Sequence, residues 1–303
     1  MPAEIAIRAE HLSKRYGARS ALDDLTFEVR RGEVFGLLGP NGAGKTTAVR
    51  LLAGLTEPSG GAGWVLGLPL GDREARRRIG YMPELFRHPP WLTGREVLWA
   101  HARLAGIAVR AGRREIARVL AEVGLEARAD ERVGRYSKGM QQRLALAAAL
   151  LGEPDVVLLD EPTSALDPVG RREVREHVRE IRARGAAVIL NSHLLSEVER
   201  VCDRVAVVRA GRVVAQGTVD ELCGRPGLRI RLERPDDAVR TALEPFGTVR
   251  ADGEWLDVDA ADPARIADAV AAAVAAGGRV VGVETRRGTL EDRLLELLGG
   301  QGG

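Results

Sequence analysis

Three short runs of this chain are apolar throughout: Val34-Phe35-Gly36-Leu37-Leu38, Val156-Val157-Leu158-Leu159 and Ala187-Val188-Ile189-Leu190. Each gives way at once to glycine or polar residues. That pattern predicts strands buried on both faces, as in a parallel sheet covered by helices. Ile79-Gly80-Tyr81-Met82 predicts another strand, ended by Pro83. Helical spacing recurs over 46–53, 93–104, 113–123, 141–151 and 168–184. Pro168 stands well at a first helical turn. Ile5 to Arg8 and Leu25 to Val29 read as short strands, with a turn-rich Ser13 to Ser20 between them. Thr56 to Gly63 reads as a loop, and Leu85 to Leu92, with Pro89, Pro90 and Trp91, as an irregular segment. Asp203 to Arg209 and Arg212 to Gly217 predict a hairpin about Ala210-Gly211.

The pattern changes after Gly224-Arg225-Pro226-Gly227, which reads as a linker. Strands are expected at 228–232, 248–250, 255–258 and 279–284, and helices at 236–243 and 263–276. That order, β-α-β-β-α-β, predicts a small ferredoxin-like α+β module. Thr289 with Asp292 resembles a capping box opening a last helix, Leu290 to Leu298. The Gly-rich end, Gly299 to Gly303, is expected to be disordered. No internal repeat is visible. The expected division is a nucleotide-binding domain over 1–222, with a helical insertion at about 85–152, and an accessory module over 228–303.

Composition narrows the function. A hydrophobic content of 45% over 303 residues supports a sizeable core. A formal net charge of +2 makes no strong claim on nucleic acid, so no nucleic-acid partner is expected. Cys202 and Cys223 form neither a metal spacing nor a disulfide framework, which fits the cytosol. Pro2, Glu4, Arg8 and Glu10 interrupt any signal-peptide core. Apolar runs such as 144–151 and 269–276 fall short of the ~20 residues of a membrane span. Work at a membrane would therefore need a second chain to cross it.

The first buried strand leads into Gly39-Pro40-Asn41-Gly42-Ala43-Gly44-Lys45-Thr46-Thr47, which satisfies G-x-x-x-x-G-K-[ST] in full and precedes a helix. The glycines permit backbone angles that turn successive N–H groups into one concavity, where a helix N-terminus holds phosphate oxygens. Lys45 would reach the outer phosphates and the Thr46 hydroxyl would ligate magnesium. The chain has only three lysines, Lys14, Lys45 and Lys138, beside 42 arginines. Keeping one in the loop suggests that a compact ammonium is wanted there.

The second buried strand ends in Asp160-Glu161. Asp160 is a candidate for holding magnesium through water, and Glu161 for a general base on a water aimed at the γ-phosphate. Ser192-His193 tips the third strand, two sheet positions on from the acids, and His193 is a candidate phosphate sensor. Ser137 opens the helix that follows Lys138-Gly139-Met140, able to cap it or to donate to an anion there. Tyr16, upstream of the loop, is placed to stack on a nucleotide base.

The first 220 residues or so resemble the ATP-binding subunit of an ABC transporter, a phosphate-loop α/β ATPase with a helical signature subdomain. GPNGAGKTT looks like its Walker A loop, and VVLLDE like Walker B with Glu161 as the catalytic glutamate. Ser164 to Asp167 looks like the D-loop, His193 like the switch histidine, and Tyr16 like the adenine-stacking aromatic. Two motifs depart from the common pattern. The signature, usually LSGGQ, is Tyr136-Ser137-Lys138-Gly139-Met140, which keeps backbone donation but loses the last polar side chain. Glu84 replaces the lid-loop Gln, and a carboxylate there could ligate magnesium directly. Both departures, and the ending at Thr289, resemble the branch that pairs with separately encoded permeases for drug, polysaccharide or lipid export.

The resemblance implies further expectations. Two copies would meet head to tail, each ATP lying between one copy's phosphate loop and the other's Ser137, Lys138, Gly139, Met140 and Asp167. The partner would be an integral-membrane permease, pressed by the segment from Leu85 to Leu104. The subunit would sit at the cytoplasmic face of a prokaryotic cell membrane, with ATP and magnesium as its ligands. Two competitors are a soluble ABC-type protein and a phosphate-loop kinase or GTPase. Neither fits as well: the former usually has paired cassettes, coiled coils or zinc motifs, and no Asn-Lys-x-Asp guanine motif occurs.

Overall fold

The all-apolar runs form three adjacent interior strands of the larger sheet. The computed structural model describes residues 4–164, 166–223, 227–234, 236–259, 265–286 and 288–299. Pro2, Ala165 of the D-loop-like segment, linker residues 224–226, the expected helix start at Pro263 and the tail from residue 300 lie outside these. The chain divides into two compact units, Met1–Gln216 and Gly217–Gly303.

The strands of the larger sheet are β1 (Ile5–Tyr16), β2 (Arg19–Arg30), β3 (Val34–Leu38), β4 (Gly60–Val65), β5 (Leu68–Pro69), β6 (Ile79–Met82), β7 (Val156–Asp160), β8 (Ala187–Asn191), β9 (Arg204–Arg209) and β10 (Arg212–Thr218). Among the described residues their order is β5-β4-β1-β2-β10-β9-β3-β8-β7-β6. β3, β7 and β8 are buried at every position, as their composition requires. β8 runs parallel to both β3 and β7, with Leu37 opposite Asn191 and Asp160 opposite Asn191. Their carboxyl ends are therefore level, and the loops leaving them share one edge. His193 thus leaves a strand directly beside that of the acids, not two positions away. Phe27 of β2 stacks on Phe35 of β3, centroids 5.3 Å apart, within the core shared by both halves of the sheet.

The helices of this unit are α1 (Lys45–Leu52), α2 (Arg73–Arg77), α3 (Gly94–Leu104), α4 (Val109–Glu122), α5 (Lys138–Ala149), α6 (Pro168–Ala183) and α7 (Leu195–Val201). α3 to α5 make up the helical insertion. Thr93 opens α3 with a reciprocal capping box to Glu96. Among the described residues no helix is long and apolar enough to cross a membrane.

Three local expectations are corrected. The stretch from Ser13 to Ser20 is mostly strand: β1 and β2 pair up to Tyr16 and Arg19, leaving only Gly17 and Ala18 to turn. His11 has φ +52°, and the register shifts between Ala9 and Leu12, so the bulge interrupts the alternation that would reveal one long strand. The loop at 56–63 ends early, because β4 starts at Gly60 and pairs with β1 across glycines that carry no strand signal. α4 starts at Val109, four residues before the expected Arg113.

The second unit contains α8 (Val219–Cys223), β11 (Gly227–Leu232), α9 (Asp237–Leu243), β12 (Thr248–Asp252), β13 (Trp255–Asp259), α10 (Ile266–Ala275), β14 (Val280–Arg286) and α11 (Leu290–Gly299). Its sheet order, β12-β13-β11-β14, is that of a ferredoxin-like module. Leu228, Ile230, Leu232, Leu256 and Val258 form its core with Val239 and Leu243 of α9 and Ala269 and Ala273 of α10. Thr289 and Asp292 form the expected box: each backbone N–H donates to the other's side chain at 3.1 Å.

Candidate active site

The loop between β3 and α1 is built by backbone angles. Gly39, Gly42 and Gly44 have φ of +142°, +81° and +109°. A Cβ at Gly39 would stand 2.1 Å from the Val208 carbonyl oxygen, and one at Gly44 2.5 Å from that of Ala21, so larger residues would displace the loop. α1 starts with Gly44 as its cap, without a side-chain cap bond or an acid in its first turn. Its first N–H groups are thus left for an anion. Lys45 Nζ donates to the carbonyls of Gly39 at 2.7 Å and Pro40 at 3.1 Å. Burial lowers the Lys45 pKa, and the charges of Glu161, Asp160 and Glu84 oppose that shift.

Asp160, at the tip of β7, is 1% exposed. Its Oδ1 accepts from the Thr46 hydroxyl at 3.4 Å and from Asn191 Nδ2. Its Oδ2 is buried without a protein partner among the described residues. Burial raises the Asp160 pKa, while the bonds from Asn191 and Thr46 oppose the rise. A buried carboxylate oxygen with no donor, beside a hydroxyl and within the field of Glu84, is a hard-oxygen set that fits magnesium.

Glu161 follows with φ +56°, an unusual backbone for a residue with a side chain. Its N–H donates to the Asn191 carbonyl at 2.8 Å. Its Oε2 lies 2.7 Å from His193 Nδ1. Burial raises the Glu161 pKa; the charge and hydrogen bond of His193 and the charge of Lys45 pull it back.

A cavity of about 790 Å³ opens over these groups, lined by Tyr16, Asn41, Gly42, Gly44, Lys45, Thr46, Thr47, Glu84, Glu161 and His193, among others. Gly39, Pro40 and Ala43 shape the loop without lining the cavity, and the buried Asp160 does not line it either. Tyr16 is 48% exposed, with Lys14 Nζ 5.2 Å from its ring centroid. Lys14 is anchored by donating to the Glu57 carbonyl at 2.6 Å.

Ser137, Lys138, Gly139, Met140 and Asp167 do not line this cavity. Ser137 is exposed and caps α5, accepting from the Met140 N–H at 3.2 Å, which leaves its own proton to donate. Asp167 caps α6, accepting from the Gly170 N–H at 2.8 Å. Three cavity residues escaped the sequence reading, Arg19, Ala21 and Asn191. Arg19 carried no signal among so many arginines. Asn191 was legible only as the polar end of an apolar strand.

The ABC transporter family model matches residues 22–164. A Nod factor export ATP-binding protein I from Rhizobium sp. is 38% identical over 302 residues, covering 98% of each chain. A solved ATP-binding subunit of an ABC transporter is 36% identical with a TM-score of 0.66, over 72% of this chain and 91% of that one. A dimeric bacterial ABC transporter cassette is 25% identical with a TM-score of 0.64, over 71% of this chain and 99% of that one. These similarities extend well beyond the motifs. The chain belongs to the ABC transporter family, as one of its ATP-binding, ATP-hydrolysing subunits.

Proposed function

We propose that this subunit powers export through a separately encoded permease at the cytoplasmic face of the membrane, and that two copies close head to tail on ATP. The carrying observation is the pairing of Glu161 with His193 at 2.7 Å in the cavity that holds the phosphate loop.

The nucleotide base stacks on Tyr16. The N–H groups of residues 41–47 and the Lys45 ammonium hold the phosphates. Thr46, Asp160 and Glu84 would hold magnesium, which when bound would neutralise charge on the phosphate oxygens. An ionised Glu161 only accepts hydrogen bonds, so its contact with His193 needs the proton on Nδ1. The imidazole then orients the carboxylate from the wall of the same cavity. Glu161 takes a proton from the attacking water as its oxygen bonds to the γ-phosphorus. The bond from that phosphorus to the bridging oxygen breaks, giving ADP and phosphate. A pKa raised by burial makes Glu161 a stronger base than an ordinary carboxylate.

Support for pairing comes from the exposed Ser137 segment, which lies outside its own chain's cavity, and from the likeness to a dimeric cassette. The relative from Rhizobium supports export as the direction, not any particular cargo. Light scattering of a Glu161→Gln variant with and without ATP tests the closure, since a slowed base should trap the dimer; a monomer in saturating ATP would refute it. Co-purification of a multi-span membrane protein with the tagged chain from its host tests the permease.

A further inference from the structure

We infer that Gln142 is a positioning residue for hydrolysis: its side-chain amide clamps the backbone that carries Glu161 and ties it to the helix that Ser137 opens. The inference rests on the assignment of Glu161 as the base.

Gln142 lies in the second turn of α5 and is 2% exposed. Its Nε2 donates to the carbonyl of Pro162 and, at 3.4 Å, to that of Glu161. Ser164 Oγ also donates to the Glu161 carbonyl, at 3.1 Å. With the Glu161 N–H held by Asn191, the peptide groups on both sides of the Glu161 α-carbon are fixed. Such anchoring is what a left-handed φ on a residue with a side chain requires, because the conformation is unfavourable unless its surroundings impose it. The direction of the carboxylate toward His193 depends on that backbone.

The amide is not a space filler. Its Oε1 is buried without a partner among the described residues. An apolar side chain of the same size would avoid that desolvation cost, so the donor half must account for the amide. Five residues of helix, about 7.5 Å, separate Gln142 from Ser137. Near the same helix start, an added Cβ on Gly139 would stand 3.4 Å from Leu166 Cδ2, in the segment after Glu161. In the head-to-tail pair, Ser137 covers the partner's nucleotide while Glu161 serves its own. The clamp therefore joins the two sites through rigid helix and direct hydrogen bonds.

The test compares Gln142→Met, which fills the volume without a donor, with Gln142→Glu, which keeps the shape and replaces the donor with an acceptor. Turnover of ATP and affinity for a fluorescent ATP analogue are measured on the full chain, with near-UV circular dichroism as a check on folding. Both variants should lose at least tenfold in kcat and keep nucleotide affinity within threefold. If only one variant folds, that one decides. A kcat within twofold of the parent, or equal losses in kcat and affinity, would overturn the inference. Turnover that survives Glu161→Gln would instead overturn the assignment of the base, and this inference with it. The Gln142 variants cannot mimic that result, because they leave the carboxylate in place.

Discussion

Glu161 Oε2 and His193 Nδ1 meet at 2.7 Å although the two residues are 32 positions apart, because β7 and β8 are neighbours whose last residues, Asp160 and Asn191, pair directly. The contact joins a partly buried carboxylate to a more exposed ring, with side-chain exposures of 11% and 57%. The carboxylate is thus held on one side and open to the cavity on the other. Such an arrangement suits proton transfer from a water.

Replacing the proposed base, Glu161, should separate chemistry from binding. Glu161→Gln keeps the shape and removes the proton acceptor. Steady-state turnover should fall by about 10² to 10⁴, the usual worth of a positioned general base. Affinity for ATP should stay within a few-fold.

His193→Ala has a signature in pH as well as in rate. His193 lowers the Glu161 pKa through its charge and its hydrogen bond, against the upward push of burial. Without it the pKa rises further, and the base is ionised only at higher pH. The acid limb of the kcat profile should therefore move to higher pH than in the parent. An unmoved limb, with kcat merely scaled down, would mean that the ring does not act on the carboxylate.

Lys45→Ala removes the ammonium that the loop carbonyls of Gly39 and Pro40 hold in place. Charge-assisted contacts to phosphate are worth roughly 1.5–3 kcal/mol, so nucleotide affinity should drop by at least tenfold. Calorimetric titration with ATP measures this directly; unchanged micromolar binding would remove Lys45 from the site.

Glu84→Gln tests the metal requirement. The charge of Glu84 reaches both Asp160 and Lys45. Loss of that carboxylate should raise the magnesium concentration needed for half-maximal turnover. An identical metal titration would leave Glu84 without a part in holding the ion.

The helical insertion offers a test of stability alone. Thr93 caps α3 through a reciprocal pair with Glu96. Thr93→Ala should cost about 1 kcal/mol, read as a lower denaturation midpoint with unchanged turnover.

The strands that carry the chemistry were legible because their composition states their environment. Val34–Leu38, Val156–Asp160 and Ala187–Asn191 need burial on both faces, and only a covered parallel sheet supplies it. The glycine spacing around Lys45 likewise implies a cradle, since backbone angles follow from the lack of a Cβ. The long β1–β2 hairpin was hidden because a bulge at His11 breaks its alternation.

Which residues meet was decided by strand order and register. Placing β8 between β3 and β7 brings Asn191 to Asp160 and His193 to Glu161. The side chain of Gln142 reaches the Glu161 backbone only because α5 packs under that loop. Burial, and with it the raised pKa of both acids, also depends on what the fold lays over them. Local sequence determines the elements and their chemical groups. The distances between those groups come from contacts far apart along the chain, and no short-range pattern encodes them.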